Sequence, residues 1–293
     1  MRNALVFGGS GQIGRPLLAC LHRRGWQAVA VSRRAQPAMP GVHWLRGSLG
    51  AVEGMPPRVD AIISCGPLDH FARWYAQSLL DCPRVVAFGS TSVEVKCDSA
   101  DAAERDVAAR LRQGEAGVLA AASARGAAAT LLRPTLVYGA GGDRTLTRIA
   151  AIANRWHRFA LPRDAIGLRQ PVHVEDLARA AFAAIDAPAT HGRTYALPGG
   201  ETLAYRDMVA RVLAAQQPPA KLHLLPPAAF RALLALARTA GVANDFGDAA
   251  LARMREDLVF DQQPAHRDFG YTPRPFEAGS LAAPRYGSAP PRT

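Results

Sequence analysis

Three glycines near the start of the chain, Gly8, Gly11 and Gly14, have the spacing of a loop that binds the pyrophosphate of a dinucleotide. An apolar run over residues 4–7 precedes the loop, and a helical pattern of leucines begins at Leu17. In this order, the first glycine permits a tight turn, the second lets phosphates approach the backbone, and the third lets the helix pack close to the strand. The N–H groups at the start of the helix then face the phosphates. We expect the pyrophosphate to be surrounded by Gly8, Ser10, Gly11, Gln12, Ile13 and Gly14.

The segment after the second predicted strand indicates which dinucleotide binds. Residues 27–31 fit a buried strand, and Ser32, Arg33 and Arg34 follow it. An acidic residue at this place grips the ribose hydroxyls of NAD, whereas an arginine accommodates the 2′-phosphate of NADP. Residues 1–50 contain no Asp or Glu. The sequence therefore predicts NADP(H) as the cofactor and disfavours NAD(H).

Composition and charge restrict the class of protein. The chain has 293 residues, 49% of them hydrophobic, which is enough for a large core in one domain or two closely packed ones. The net charge of +11 comes almost entirely from arginines spread along the sequence, so we expect a small-molecule partner and no nucleic acid. No segment has the pattern of a membrane span or a signal peptide, which favours a cytoplasmic protein. The four cysteines lack a C-x-x-C spacing, so neither a disulfide framework nor a metal site is expected.

Alternating strand and helix patterns place further polar residues at one edge of a sheet. Apolar strands are predicted over 59–64, 84–88 and 128–133, with helical segments between them. This alternation predicts an α/β fold of the Rossmann type, with a doubly wound parallel sheet and a small, mostly helical C-terminal lobe. The carboxyl ends of parallel strands face the ligand crevice. The residues that should border the cofactor there are Ser64, Cys65, Gly66, Ser90, Thr91, Pro134, Thr135 and Leu136.

The strand–helix pattern changes after Arg133, which indicates a second lobe. An extended run over 169–174, a helix that begins at Glu175 and a strand over 194–197 return to the sheet. We expect an NADP-binding Rossmann domain from residues 1–135 and 168–198, a substrate lobe from 136–167 and 199–285, and a frayed tail over 286–293.

Four motifs occur in the order and spacing of a known enzyme family. They are the glycine loop, residues 89–92 (GSTS), residues 132–139 (LRPTLVYG) and residues 170–178 (QPVHVEDLA). With these motifs, about the first 200 residues resemble the extended or atypical short-chain dehydrogenases/reductases of the NAD-dependent epimerase/dehydratase kind. The resemblance implies an oxidoreductase or epimerase-like reaction at a carbonyl or alcohol carbon of a small molecule such as a sugar nucleotide. It is also consistent with a homodimer.

The sequence departs from this family at the residues that carry its acid–base chemistry, a Ser or Thr with a Tyr-x-x-x-Lys pair. In the family, the Lys lowers the pKa of the Tyr phenol, whose reference value is about 10. None of the six tyrosines of this chain has a Lys four residues later. If Glu115 matches the family's usual helix Glu, the Tyr and Lys positions fall on Val107 and Leu111, which cannot transfer a proton.

Three hypotheses for the reaction remain open. The first is an enzyme with another acid or base, and since a serine alone is a poor base, it needs a partner or a substrate of suitable acidity. The second is a protein that binds NADP without turnover, similar to the NADP-sensing regulators of the superfamily. The third is an NADP enzyme whose Tyr comes from elsewhere in the fold. The candidate catalytic residues are Ser90, Thr91 and Tyr138, with Ser92, Lys96 and Glu115 as further candidates. The candidates for holding a substrate phosphate are Arg144 and Arg169.

Overall fold

The structure is a computed structural model, which describes residues 1–139, 141–143, 145–239 and 248–281. Its strands are β1 (Asn3–Phe7), β2 (Gln27–Ser32), β3 (Val42–Ser48), β4 (Ala51–Val52), β5 (Ala61–Ser64), β6 (Arg84–Phe88), β7 (Ala128–Pro134), β8 (Val137–Tyr138), β9 (Arg158–Pro162), β10 (Leu168–Arg169), β11 (Val172–His173), β12 (Arg193–Leu197), β13 (Leu203–Ala204) and β14 (Lys221–Leu225). Its α-helices are α1 (Gly14–Arg23), α2 (Leu68–Gln77), α3 (Ser92–Val95), α4 (Ala102–Ala124), α5 (Leu146–Trp156), α6 (Val174–Ile185), α7 (Tyr205–Ala214), α8 (Pro227–Thr239), α9 (Asp248–Arg253) and α10 (Gln263–Phe269).

The central sheet has eight strands in the order β12-β7-β6-β5-β1-β2-β3-β4. Its neighbouring strands are paired in parallel, except β3 and β4, which are antiparallel. Every residue of β5 and β6 is buried, because helices cover both faces of the sheet. The chain leaves β1 toward β2 on one side and reaches β5 on the other, so a crevice opens at the carboxyl ends of these strands. The predicted Rossmann-type α/β fold is confirmed.

Two pairs of helices sandwich this sheet. α1 and α6 cover one face, where Leu17 and Leu177 are fully buried in one core cluster with Val6. α2 and α4 cover the other face, where Phe71 and Val118 are fully buried. Burial of these apolar helix faces supplies most of the favourable free energy that holds the layers together. Within the described residues, no helix combines the length and the apolar character that crossing a membrane requires.

The long helix α4 runs without a break through two glycines, Gly114 and Gly117. Gly114 faces α2, and an added Cβ would lie only 3.1 Å from Asp69 N and Leu68 Cγ. A glycine inside a helix costs about 1 kcal/mol relative to Ala. The close approach of α2 and α4 at Gly114 offsets this cost and explains why the helix persists.

The second lobe is built around its own core, with Tyr138, Ile149, Met208 and Val212 almost fully buried. Its helices are joined by three two-stranded sheets: β8 with β11, β10 with β13, and β9 with β14. The sequence analysis predicted a mostly helical lobe and missed β9 and β14. These strands pair in parallel across more than fifty residues of chain, and no hairpin signal marks such a pairing in the sequence.

The chain returns to the central sheet after the second lobe. Ala265 of α10 and Tyr271 belong to the same core cluster as Val6 and Leu177. The Tyr271 hydroxyl donates to Pro198 O at 2.7 Å, directly after β12. We therefore propose the predicted division into two lobes with one change, in which α10 is assigned to the sheet domain rather than to the substrate lobe.

Candidate cofactor and substrate site

The glycine loop between β1 and α1 has the shape of a phosphate cradle. Gly8 adopts a φ of +73°, and a Cβ there would lie 2.9 Å from Cys65 C. Gly14 lies even closer to the loop, since its added Cβ would be 2.6 Å from Gly9 Cα. Among the residues that the structure describes, no side chain caps α1 at its N-cap, Ile13. Arg15 N donates to Gly11 O at 3.1 Å and Pro16 has no N–H, so Gly14 N is the group at the start of α1 that can meet an anion, and the loop fits a dinucleotide pyrophosphate.

Polar side chains cluster at the end of β2, where the 2′-phosphate is expected. Ser32 is buried, and its Oγ accepts hydrogen bonds from Arg34 N at 3.3 Å and Gln36 Nε2 at 3.1 Å. The side chain of Arg15 joins this cluster to the glycine loop, because it donates to Gln36 Oε1 at 2.8 Å and to Ser10 O at 3.3 Å. Arg33 and Arg34 are exposed beside it. Arg15 was not among the residues predicted from the sequence, although its place directly after Gly14 was a usable signal.

The end of β5 contributes two groups next to the loop. Ser64 is fully buried, and its Oγ has no hydrogen-bond partner among the described residues. Burial raises the pKa of the Cys65 thiol to about 12, so the thiolate is absent near neutral pH. Cys65 therefore shapes the loop, through the contact of its backbone with Gly8, rather than acting as a nucleophile.

A cleft of about 960 Å³ opens between the sheet edge and the second lobe. Eight of the residues predicted from the sequence line it, and the structure brings them together although they come from distant segments. They are Gln12, Ser90, Thr91, Ser92, Lys96, Thr135, Leu136 and Arg169. The cleft also contains residues that the sequence analysis did not assign to the site, namely Asp143, Arg148, Tyr205, Arg253, Met254, Leu258 and Phe260.

The hydroxyls after β6 form a small hydrogen-bonded group in this cleft. Ser90 Oγ donates to Ser92 Oγ at 3.0 Å and accepts from Ser92 N at 3.1 Å. Thr91 is buried, and its Oγ1 donates to Pro134 O at 3.3 Å. Thr91 thus ties the end of β6 to the end of β7, whereas Ser90 and Ser92 are partly exposed to the cleft.

Tyr138 does not occupy a position that suits catalysis. Its side chain is fully buried between the rings of His173 and Phe276, and it does not line the cleft. Its hydroxyl accepts from Glu277 N at 3.1 Å and donates to Pro275 O at 3.4 Å. Burial raises the pKa of the Tyr138 phenol. These contacts favour a packing role for Tyr138 at the base of the second lobe, and its catalytic role stays a prediction.

Of the two arginines predicted to hold a substrate phosphate, the structure describes Arg169 but not Arg144. Arg169 lines the cleft, but its guanidinium donates to the carbonyl oxygens of Leu168, Arg253 and Glu256. Burial lowers the pKa of Arg169. Most of its donors are thus engaged in holding the chain after α9, and a contact with substrate stays a prediction. Arg144 lies outside the described residues.

One face of α4 presents the positions where the family's Tyr and Lys were expected. Glu115 is buried and forms a two-pronged pair with Arg133, with distances of 2.7 Å (Nε–Oε1) and 2.5 Å (Nη2–Oε2). This pair fixes α4 against β7, with Leu111 packed against the core one turn earlier. Glu104 lies in the first turn of α4 and forms ion pairs with Lys96 and Arg253. Burial opposes ionisation of Glu104, but hydrogen bonds from Arg253 and Ser99 prevail, so its pKa lies below the ordinary value.

Comparison with known proteins agrees with this geometry. Residues 101–197 match the model of the NAD dependent epimerase/dehydratase family. A 2-alkyl-3-oxoalkanoate reductase from Stenotrophomonas maltophilia (strain K279a) is 28% identical over 313 residues, which cover 92% of this chain and 94% of the relative. About a third of the chain thus matches this family's model, and the chain is similar to this reductase along most of its length.

Several solved structures share the fold along nearly the whole chain. The epimerase Mth375 from Methanothermobacter thermautotrophicus has a TM-score of 0.72 at 15% identity, with 96% of this chain and 90% of that chain covered. MoeE5 in complex with UDP-glucuronic acid and NAD has a TM-score of 0.67 at 19% identity, with 95% and 96% covered. At such identities the likeness establishes the fold alone, and the chemistry must be argued from the residues of this chain.

Proposed function

We propose that the protein is an NADP(H)-dependent oxidoreductase that acts on a carbonyl or alcohol carbon of an anionic small molecule. The observation that carries the proposal is a cluster of side chains between the glycine loop and the end of β2. It contains Arg15, Ser32, Arg33 and Arg34, and no carboxylate among the described residues belongs to it. Bound NADPH would supply a hydride to the carbonyl carbon, and a proton must reach the carbonyl oxygen. One similar protein is named as a 2-alkyl-3-oxoalkanoate reductase and another was solved with UDP-glucuronic acid and NAD, and both names support an anionic small-molecule substrate.

In our proposal, different residues of this chain bind the cofactor and the substrate. The N-terminus of α1 and the glycine loop bind the pyrophosphate, and Arg33 and Arg34 bind the 2′-phosphate from the solvent side. Pro134, Thr135 and Leu136 border the nicotinamide. Ser90 holds the substrate oxygen by a hydrogen bond, and Ser92, 3.0 Å away, continues that hydrogen-bonded group toward the cleft. This arrangement orients the substrate and restricts water, which are the contributions that remain when no phenolate is present.

We further propose a homodimer and a cytoplasmic location, as the sequence suggests.

A second candidate function is favoured by one observation. Val107 and Leu111 occupy the positions matched to the Tyr and Lys of the family, and neither can donate a proton. A protein that binds NADP(H) without turnover, as a sensor, would need the cofactor cradle and could dispense with both groups.

Turnover separates these two functions. The protein is incubated with NADPH and a panel of nucleotide 4-keto sugars and alkyl-substituted 3-oxo acids, and the absorbance of the reduced nicotinamide is followed. We expect oxidation of NADPH with at least one carbonyl substrate, and Ser90→Ala should lower its rate by about 100-fold or less. Tight NADPH binding without oxidation across the whole panel would support the sensor instead.

The preference for NADP over NAD gives a separate prediction. Replacement of Arg33 and Arg34 by Ala should lower the NADP/NAD affinity ratio by about 10-fold for each lost phosphate contact. Arg15→Ala should also lower the ratio, because Arg15 positions Gln36 and Ser10 beside the expected phosphate. Titration of each variant with both cofactors measures the ratio. Arg23→Ala, on the last turn of α1 and away from the loop, is the matched control. An unchanged ratio in the double variant would contradict the NADP assignment.

A further inference from the structure

Two basic side chains from different lobes meet at the wall of the cleft. Lys96 follows the short helix α3, and Arg253 is the last residue of α9. Both line the cleft, and both are ion-paired with the carboxylate of Glu104 in the first turn of α4. Lys96 Nζ lies 3.4 Å from Glu104 Oε1, and Arg253 Nη1 donates to Glu104 Oε2. One carboxylate thus orients two cations toward the same space.

Several donors of these cations remain available to a ligand. Among the described residues, no hydrogen bond engages Lys96 Nζ or the Nε and Nη2 atoms of Arg253. Glu104 Oε2 is additionally occupied by Ser99 Oγ at 2.8 Å. Two cations that share one carboxylate leave a net positive charge in a part-buried place, where charges interact more strongly than in water. An ammonium and a guanidinium side by side match the two oxygens of a carboxylate.

The rest of the cleft discriminates between classes of anionic substrate. Apolar side chains continue directly from the two cations: Val95 precedes Lys96, and Met254 follows Arg253, with Leu258 and Phe260 further along the same segment. The hydroxyls and base of a sugar nucleotide require hydrogen-bond partners when they are buried, and this segment does not offer them beside the two cations, whereas Asp143, Gln170 and Tyr205 line other parts of the cleft. An alkyl chain gains free energy on the same wall because it leaves water.

We propose that the substrate is an oxo acid, with its carboxylate bound between Lys96 and Arg253 and its alkyl chain against Met254, Leu258 and Phe260. The proposal rests on the proposed function, since it names the substrate class of the same cleft. Glu104 acts as a positioning residue that holds the two cations in place, and it bridges the sheet domain to α9.

Binding of decanoate, an unreactive carboxylate with an alkyl chain, tests the proposal without turnover. Calorimetric titration into protein saturated with NADP is compared for the wild type, Lys96→Gln and Arg253→Gln, with decan-1-ol as the uncharged probe. We expect each variant to bind decanoate about 10- to 100-fold more weakly, since each loses a hydrogen-bonded charge pair, and to bind decan-1-ol like the wild type. Arg255→Gln is the matched control, because Arg255 pairs with Asp164 and does not line the cleft.

Further measurements keep the result interpretable. NADP affinity and thermal unfolding are measured for every variant, and Arg253→Lys, which keeps the positive charge, should retain most of the decanoate binding. Wild-type affinity for decanoate in both Gln variants, or no binding by the wild type, would overturn the proposal. Tighter binding of UDP-glucose than of decanoate, lost in the same variants, would also overturn it. Selective decanoate binding without oxidation of NADPH by any oxo acid would reject the proposed function and overturn the substrate assignment, while it would retain the binding site for a carboxylate with an alkyl chain.

Discussion

Gly14→Ala should abolish cofactor binding and lower the free energy of unfolding by about 3 kcal/mol. The added Cβ would lie 2.6 Å from Gly9 Cα and 2.8 Å from Gly8 C, and these backbone atoms cannot rotate aside as a flexible side chain would. α1 must therefore move away from β1, which displaces the N–H groups that face the phosphates. Urea denaturation measures the loss of stability, and titration with NADPH measures the loss of binding.

Gly117→Ala in α4 is the matched control for this variant. The nearest atom to a Cβ at Gly117 is Ala72 Cβ at 3.4 Å, an ordinary van der Waals distance. Ala is the better helix former, so the control should gain up to about 1 kcal/mol and bind NADPH as the wild type does. If Gly14→Ala binds NADPH with unchanged affinity, the loop is not the cofactor cradle.

Glu115→Gln should destabilise the protein by about 3 kcal/mol at neutral pH. The Glu115 side chain is only 7% exposed, and its carboxylate accepts two hydrogen bonds from Arg133. Burial opposes the charge of Arg133, but the hydrogen bond to Glu115 outweighs it and raises the pKa of the guanidinium. Removal of the Glu115 charge leaves this cation with the half-exposed carboxylate of Glu94 in place of a buried partner, and chemical denaturation at pH 7 measures the cost.

Glu94→Gln provides the comparison within the same network. Glu94 also binds Arg133, with 2.5 Å between Glu94 Oε1 and Arg133 Nη1, but its side chain is 52% exposed. Water screens such a pair, so the variant should lose less than about 1 kcal/mol. Equal losses in both variants would show that burial does not govern the strength of this network.

The sequence predicted the parts of this molecule in which local pattern and long-range structure agree. The run of strand, glycine loop and helix at residues 4–21 is one such part. The local sequence pattern there predicts the same strand, turn and helix that the folded structure contains. The alternation of apolar strands and helices likewise identified the parallel sheet and the edge that faces the crevice. Ser90, Thr91 and Thr135 were found in this way, since position at a strand end is visible in the sequence.

The remaining features depend on partners that are distant in the chain. Tyr138 was chosen as a catalytic candidate, but its hydroxyl is paired with residues 275 and 277, and no local pattern records that pairing. Arg253 contacts Glu104 across 149 positions of sequence, so no local pattern could predict that Lys96 and Arg253 lie side by side. β9 and β14 were missed for the same reason.

The packing of α10 and Tyr271 on the central sheet bears on how the protein is synthesised. Domains tend to fold as units while the chain leaves the ribosome from its N-terminus. Here the core that covers Val6 and Leu177 is complete only after Tyr271 has emerged, although the sheet itself ends with β12 at Leu197. A nascent chain must therefore hold an apolar face open while some seventy further residues are translated. During that interval the unfinished sheet is the segment most in need of a chaperone.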